Sequence, residues 1–122
     1  MTTPLHQLKA EFFKTLSHPM RIRVLELLSE GERSVGALLG EVDAEASNLS
    51  QQLAVLRRSG LVTTRKEGSS VYYSLVSPQI AELMAVARSI LTSVLSEQAD
   101  ILTTLQSDAR TARGSQIRRG AR

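Results

Sequence analysis

The chain has no cysteine and no tryptophan, and its 122 residues include only two histidines, three prolines, two phenylalanines and two tyrosines. Without cysteine there is no disulfide framework, no thiolate metal site and no thiol redox switch. No apolar run approaches the ~20 residues that a membrane-spanning helix needs. The start, Met1-Thr2-Thr3-Pro4, lacks the charged-then-apolar order of a secretory signal. No membrane partner is expected, and a cytoplasmic location follows. His6 and Glu11 sit five apart, a poor spacing for one metal, while His18 before Pro19 reads as a helix cap or an inter-helix hydrogen bond. Neither metal nor cofactor is expected. Gly31, Gly36 and Gly40 are scattered at helix boundaries and form no phosphate loop. No Ser-His-Asp or paired-carboxylate arrangement is visible either, so the chain does not read as an enzyme.

What is present is an ordinary folding mixture, 42% hydrophobic and 22% charged, of a length suited to one domain. The net charge of +3 is unevenly placed. Up to Gln106 there are ten basic and eleven acidic residues, whereas Ser107 to Arg122 holds five arginines and one aspartate. Any contact of the folded part with a polyanion must therefore rest on local clusters of charge. We expect a domain over residues 1–106 and a disordered, Arg-rich tail over 107–122, the latter either solvated or a nonspecific phosphate-binding arm.

The pattern along the chain is mainly α with a small β-hairpin. Leu5, Leu8, Phe12 and Leu16 mark a first helix behind Pro4, and Ser17-His18-Pro19 interrupts it. A second helix runs from Pro19 to about Glu30 and stops at Gly31. Ser34 is a good N-cap for a short third helix with Val35, Leu38, Leu39 and Val42. A fourth starts between Asp43 and Ser47 and ends at Ser59-Gly60, with Leu49, Leu53 and Leu56 as its buried stripe. Two runs rich in β-branched and aromatic residues, Leu61 to Lys66 and Val71 to Leu75, flank the turn Glu67-Gly68-Ser69-Ser70. The last helix starts at Ser77-Pro78 and runs to about Leu105. Ile80, Met84, Ala87, Leu91, Val94, Gln98, Ile101 and Leu105 give it a heptad seam, more than a domain of ~100 residues can cover alone.

A short helix joined by a tight turn to another, then a hairpin, is the order of a winged helix-turn-helix. The fourth helix adds chemistry to that order. Opposite its leucines lie Ser47, Ser50 and Gln51, with Asn48 and Gln52 on the flanks, where an ordinary surface helix carries Glu and Lys. Amides and hydroxyls of this kind hydrogen-bond base edges, so these five are the candidate base readers. Arg57 and Arg58 at the helix end and Arg65 and Lys66 on the hairpin suit phosphates, as do Ser34, Ser69 and Tyr72. The bland alternative is a solvated helix that happens to be rich in amides.

Thr15-Leu16-Ser17-His18-Pro19-Met20-Arg21-Ile22-Arg23-Val24-Leu25-Glu26-Leu27-Leu28 and Ser47-Asn48-Leu49-Ser50-Gln51-Gln52-Leu53-Ala54-Val55-Leu56-Arg57-Arg58-Ser59-Gly60-Leu61-Val62 together resemble the ArsR-type (arsenic-repressor-like) regulators. The resemblance covers roughly Leu5 to Leu95. It implies a homodimer joined through its first and last helices, which binds double-stranded DNA at an inverted-repeat operator and represses transcription until a signal releases it. The interface it implies comprises Leu5, Leu8, Phe12, Met84, Ala87, Leu91, Val94, Leu95 and Gln98. Three departures matter. Many members have His where Gln52 stands. Metal-sensing members carry a Cys-x-Cys type motif on the helix that here reads Ser34-Val35-Gly36-Ala37-Leu38-Leu39. Others place Asp, His and Glu along the final helix, but Pro78 to Leu105 has no histidine to join Glu82, Glu97 and Asp100. The family's metal sensing is not carried over, and the effector stays open. Two alternatives remain: a winged-helix module that docks protein, and a sensor with an unusual oxygen-rich ligand site.

Overall fold

The structure is a computed structural model that describes the backbone of residues 2–120 and the side chains of residues 2–111. The elements run α1 (Leu5–Leu16), α2 (Pro19–Ser29), β1 (Arg33–Ser34), α3 (Val35–Glu41), α4 (Ala46–Arg58), β2 (Val62–Glu67), β3 (Ser70–Leu75) and α5 (Pro78–Gly120). The chain divides into two compact units, Met1–Ala85 and Val86–Arg122.

Local chemistry accounts for the element boundaries of the first unit. Pro19 occupies the first turn of α2, where its missing N–H costs nothing, and His18 Nδ1 accepts from the Met20 N–H at 3.2 Å. The Ser34 hydroxyl caps α3 by accepting from the Ala37 N–H at 3.1 Å. α4 ends in a Schellman motif. Gly60 has φ +76°, its N–H reaches the Arg57 carbonyl, and the Leu61 N–H reaches the Leu56 carbonyl. Leu56 and Leu61 are both buried, which supplies the apolar contact that accompanies this motif. Gly68, at φ +61°, opens the two-residue turn between β2 and β3, where a type II′ hairpin demands a glycine.

The sheet has three strands, not the two expected. Its order is β1-β3-β2, all antiparallel, with Arg33 and Ser34 paired to Tyr73 and Tyr72. On the other side β3 pairs with β2 from Val62↔Leu75 to Glu67↔Ser70.

α2 is the central helix of this unit and buries Val24, Leu25, Leu27 and Leu28. Leu49, Leu53 and Leu56 of α4 pack into the same cluster with Leu38 of α3, Leu61, Val62 and Ile80. Each fully buried leucine contributes about 1.5–3 kcal/mol relative to exposure. The cluster therefore fixes α4 by one face and leaves its other face outward. Tyr73 packs against the cluster, as do Phe12 and Met84. This order of helices, with a hairpin following α4, is a winged helix-turn-helix.

The second unit is the remainder of α5. Leu91, Val94, Leu95, Ile101, Leu102 and Leu105 are 41–60% exposed, so the apolar seam lies uncovered in the single chain. The helix does not stop near Leu105. Ser107 to Gly120, where the sequence led to the expectation of a disordered tail, continue it as helix. That expectation rested on lost periodicity, but periodicity reports a buried face. The segment has no proline, and Ala109, Arg110, Ala112 and Arg113 within it favour continuing the helix. Ala121, Arg122 and the arginine side chains beyond Thr111 lie outside the described residues. No helix among the described residues is long and apolar enough to cross a membrane.

Candidate nucleic-acid interface

α4 starts at Ala46 with Glu45 in the N-cap position, and Glu45 makes no side-chain cap bond. Ser47 is therefore inside the helix, where its hydroxyl is not spent on capping. Ser47, Asn48, Ser50 and Gln51 are all exposed, and all lie in the first two turns. With Leu49, Leu53 and Leu56 anchored in the core, these four form a neutral hydrogen-bonding face on a rigidly held helix. Arg57 and Arg58 stand exposed in the last turn, and no described ion pair involves either.

Gln52 departs from the sequence expectation. It is only 8% exposed, the sole buried polar side chain among the described residues. Its Oε1 accepts from Arg21 Nε at 2.7 Å, and its Nε2 donates to Asn48 Oδ1 at 3.2 Å. The correction has a simple cause. Gln52 lies three residues after Leu49 and four before Leu56, inside the leucine stripe, and a guanidinium from α2 compensates its burial. These two bonds tie Gln52 of α4 to α2 and to the first turn of its own helix.

Arg65 already has partners within the fold. Expected on phosphate, its guanidinium instead lies between two carboxylates. Nε meets both oxygens of Glu32 at 2.9 and 3.0 Å, Nη2 meets Glu32 Oε1 at 2.6 Å, and Nη1 meets Glu67 Oε2 at 2.6 Å. The same guanidinium stacks over Tyr72, its cross-strand partner, at 4.5 Å from the ring centroid. Ser74 adds a bond to Glu32 at 3.1 Å. Glu32 sits just before β1, so the cluster clamps the α2–β1 connection to the hairpin. Hydrogen bonding from Arg65 holds the Glu32 carboxyl below its usual range and raises the Arg65 guanidinium above its own. Tyr72 is accordingly half-buried under Arg65, while Lys66 and Ser69 remain exposed on the hairpin. Ser34 is half-buried and its hydroxyl oxygen already serves the α3 cap.

The expected interface residues separate into two groups. Leu5 and Leu8 are 65% and 52% exposed, and Ala87, Leu91, Val94, Leu95 and Gln98 are exposed as well. Phe12 and Met84 are half-buried and pack on the protein's own core, so their apolar surface is mostly spent. Phe13, its ring edge-on to Phe12 at 5.4 Å, is the exposed member of that pair at 56%. No three His, Asp or Glu side chains gather into a metal-holding group among the described residues.

Comparisons with known proteins bear on this arrangement. Residues 16–65 match a family described as a helix-turn-helix domain. The chain is 59% identical over 104 residues to the HTH-type transcriptional regulator Rv0081 of Mycobacterium tuberculosis, covering 84% of this chain and 91% of that one. The crystal structure of Rv0081 is similar with a TM-score of 0.74 at 60% identity, over 80% of this chain and 99% of that one. A solution structure from Mycobacterium bovis, Mb0332, is similar with a TM-score of 0.69 at 30% identity, covering 76% and 86% of the two chains. It is described as a homodimeric winged helix-turn-helix DNA-binding domain of a possible ArsR-family regulator. The biofilm growth-associated repressor of Agrobacterium fabrum is 43% identical over 75 residues, 62% of this chain and 64% of that one.

Proposed function

Because the chain belongs to the ArsR-type winged helix-turn-helix transcription regulators, we propose that it is a cytoplasmic homodimeric repressor that reads an inverted-repeat operator with α4. The observation that carries this reading is the exposed face of Ser47, Asn48, Ser50 and Gln51, backed by buried leucines and followed by a hairpin. Base edges in the major groove are read by amides and hydroxyls near the start of a recognition helix. Arg57, Arg58 and Lys66 supply phosphate contacts, with Ser34 and Ser69 beside them. Arg65 and Tyr72 act as a brace within the wing. Both units carry apolar surface suited to a second copy: Leu5, Leu8 and Phe13 on α1, and Leu91, Val94 and Leu95 on α5. The homodimeric description of the Mb0332 domain supports that assembly. A twofold dimer sets its two α4 helices on half-sites about 34–36 Å apart.

The test divides labour between two residues. Gln51→Ala should reduce discrimination between operator and scrambled duplex by ~1–3 kcal/mol, the range for one bidentate pairing with a base. Arg58→Ala should weaken both duplexes alike and flatten the salt dependence by about 0.9 in log–log slope for each phosphate it no longer neutralises. Equal weakening by the two variants on both duplexes would remove the division. Absence of duplex binding at low salt would favour a protein-docking role for the same fold.

A further inference from the structure

Arg21, Gln52 and Asn48 form a chain of hydrogen bonds whose direction is fixed at one end. A guanidinium can only donate. Arg21 is oriented by two acceptors, the Thr15 carbonyl at 3.0 Å from Nη1 and Gln52 Oε1 at 2.7 Å from Nε. Gln52 must therefore turn its oxygen toward Arg21 and its NH2 toward α4's first turn. That NH2 donates to Asn48, so Asn48 in turn presents its oxygen inward, at 3.2 Å. Neither amide is free to flip without leaving two donors or two acceptors face to face. The end of the relay is the Asn48 NH2, on an exposed side chain in the first turn of α4.

We propose that Arg21 and Gln52 are positioning residues that make Asn48 a one-way reader, presenting a donor to the base it meets. The inference rests on the reading of α4 as the recognition helix and specifies what it recognises. An outward NH2 favours a base edge whose acceptors stand without a neighbouring donor, guanine O6 and N7 or thymine O4, over adenine, whose N7 acceptor lies beside its N6 donor. The two-bond pairing of asparagine with adenine needs its oxygen and its NH2 facing the same edge, and the oxygen here is turned back to Gln52. Cytosine presents only a donor in the major groove and is disfavoured. One position in each half-site thus favours a keto base on the contacted strand, by at least about fivefold over cytosine and by a smaller factor over adenine.

Selection from a pool of random-sequence duplexes tests this with the full chain and three variants. Asn48→Asp places acceptors only at that point, and should convert the keto position to cytosine or adenine. Gln52→Glu keeps an acceptor for Arg21 but gives Asn48 only acceptors to meet, so Asn48 turns its NH2 inward. It should convert the same position in the same sense, leaving the rest of the selected sequence as in the wild type. Arg21→Met releases the fixed end and should reduce the preference between keto and amino bases there to less than about twofold. Thermal unfolding of each variant separates loss of fold from loss of polarity, and Asn48→Asp changes only an exposed side chain. If Asn48→Asp converts the position but the folded Gln52→Glu and Arg21→Met variants select as the wild type does, the relay is refuted. A wild type that prefers an amino base where Asn48→Asp acts refutes it too, as does an Asn48→Asp variant with unchanged selection. A wild type that enriches no sequence at all refutes the DNA-reading function itself, a distinct result.

Discussion

Replacing Leu91 with alanine should weaken self-association about a hundredfold, and the figure follows from its exposure. Leu→Ala removes three carbons, each worth ~0.8 kcal/mol when buried, or about 2.4 kcal/mol in all. Leu91 is 58% exposed in the single chain, so only that share is available to be newly buried by a partner. This leaves about 1.4 kcal/mol per copy. A twofold interface contains the residue twice, giving about 2.8 kcal/mol, and each 1.4 kcal/mol is a factor of ten in Kd. The helix itself should not suffer, since alanine is the better helix former. Sedimentation velocity over a dilution series gives the Kd directly. Ser96, on the opposite side of α5 at 3.6 residues per turn, is the control, and Ser96→Ala should leave the Kd within about twofold. A Leu91→Ala protein that associates as the wild type does would refute the assignment of the α5 seam to the dimer.

Three further outcomes follow from packing and charge. Leu53 is 1% exposed beneath the recognition face, so Leu53→Ala should cost about 2–5 kcal/mol and lower the Tm by on the order of 10 °C or more. Urea unfolding followed by circular dichroism checks it, and a loss below ~1 kcal/mol would contradict so tight a site. The Glu32 clamp depends on an ionised carboxyl whose folded pKa lies below its ordinary value of 4.5. Its contribution is therefore complete above that value and is lost as the pH falls through the lower, folded one. The NMR signals of Ser74, which bonds Glu32 alone, should stay constant down to about pH 5 and move only below it, and Glu32→Gln should abolish that movement. Phe13→Ser should weaken association, whereas Phe12→Ser should chiefly lower the Tm, because only Phe13 leaves its ring largely exposed. Equal effects of both on Tm and on the sedimentation Kd would contradict that distinction.

The order of the helices and the hairpin was legible because each boundary carries its own chemistry: Pro19, Ser34, Gly60 and Gly68 act within a few residues of where they stand. The leucine stripe of α4 gave its orientation, and with it the exposure of Ser47, Asn48, Ser50 and Gln51. What escaped was long-range or too short to show a period. β1 has two residues, fewer than one alternation, and exists because β3 offers it an edge. Arg65 looked available because Glu32 is 33 residues away in sequence, and Gln52 looked like a reader because Arg21 is 31 away. In each case the sequence shows a polar residue suited to DNA but not the partner within the fold that it also meets. The signal for Gln52 was nevertheless present. A polar residue that shares a stripe with Leu49, Leu53 and Leu56 is buried by the same arithmetic, and a buried amide requires partners.

The central claim is that α4 reads DNA through its first two turns. Titrating the isotopically labelled protein with a duplex recovered by selection, and mapping amide chemical shifts, tests it most directly. The account predicts the largest changes at Ser47, Asn48, Ser50 and Gln51, a second set at Lys66 and Ser69, and much smaller ones along α2. Changes that leave α4 untouched and gather elsewhere would contradict it.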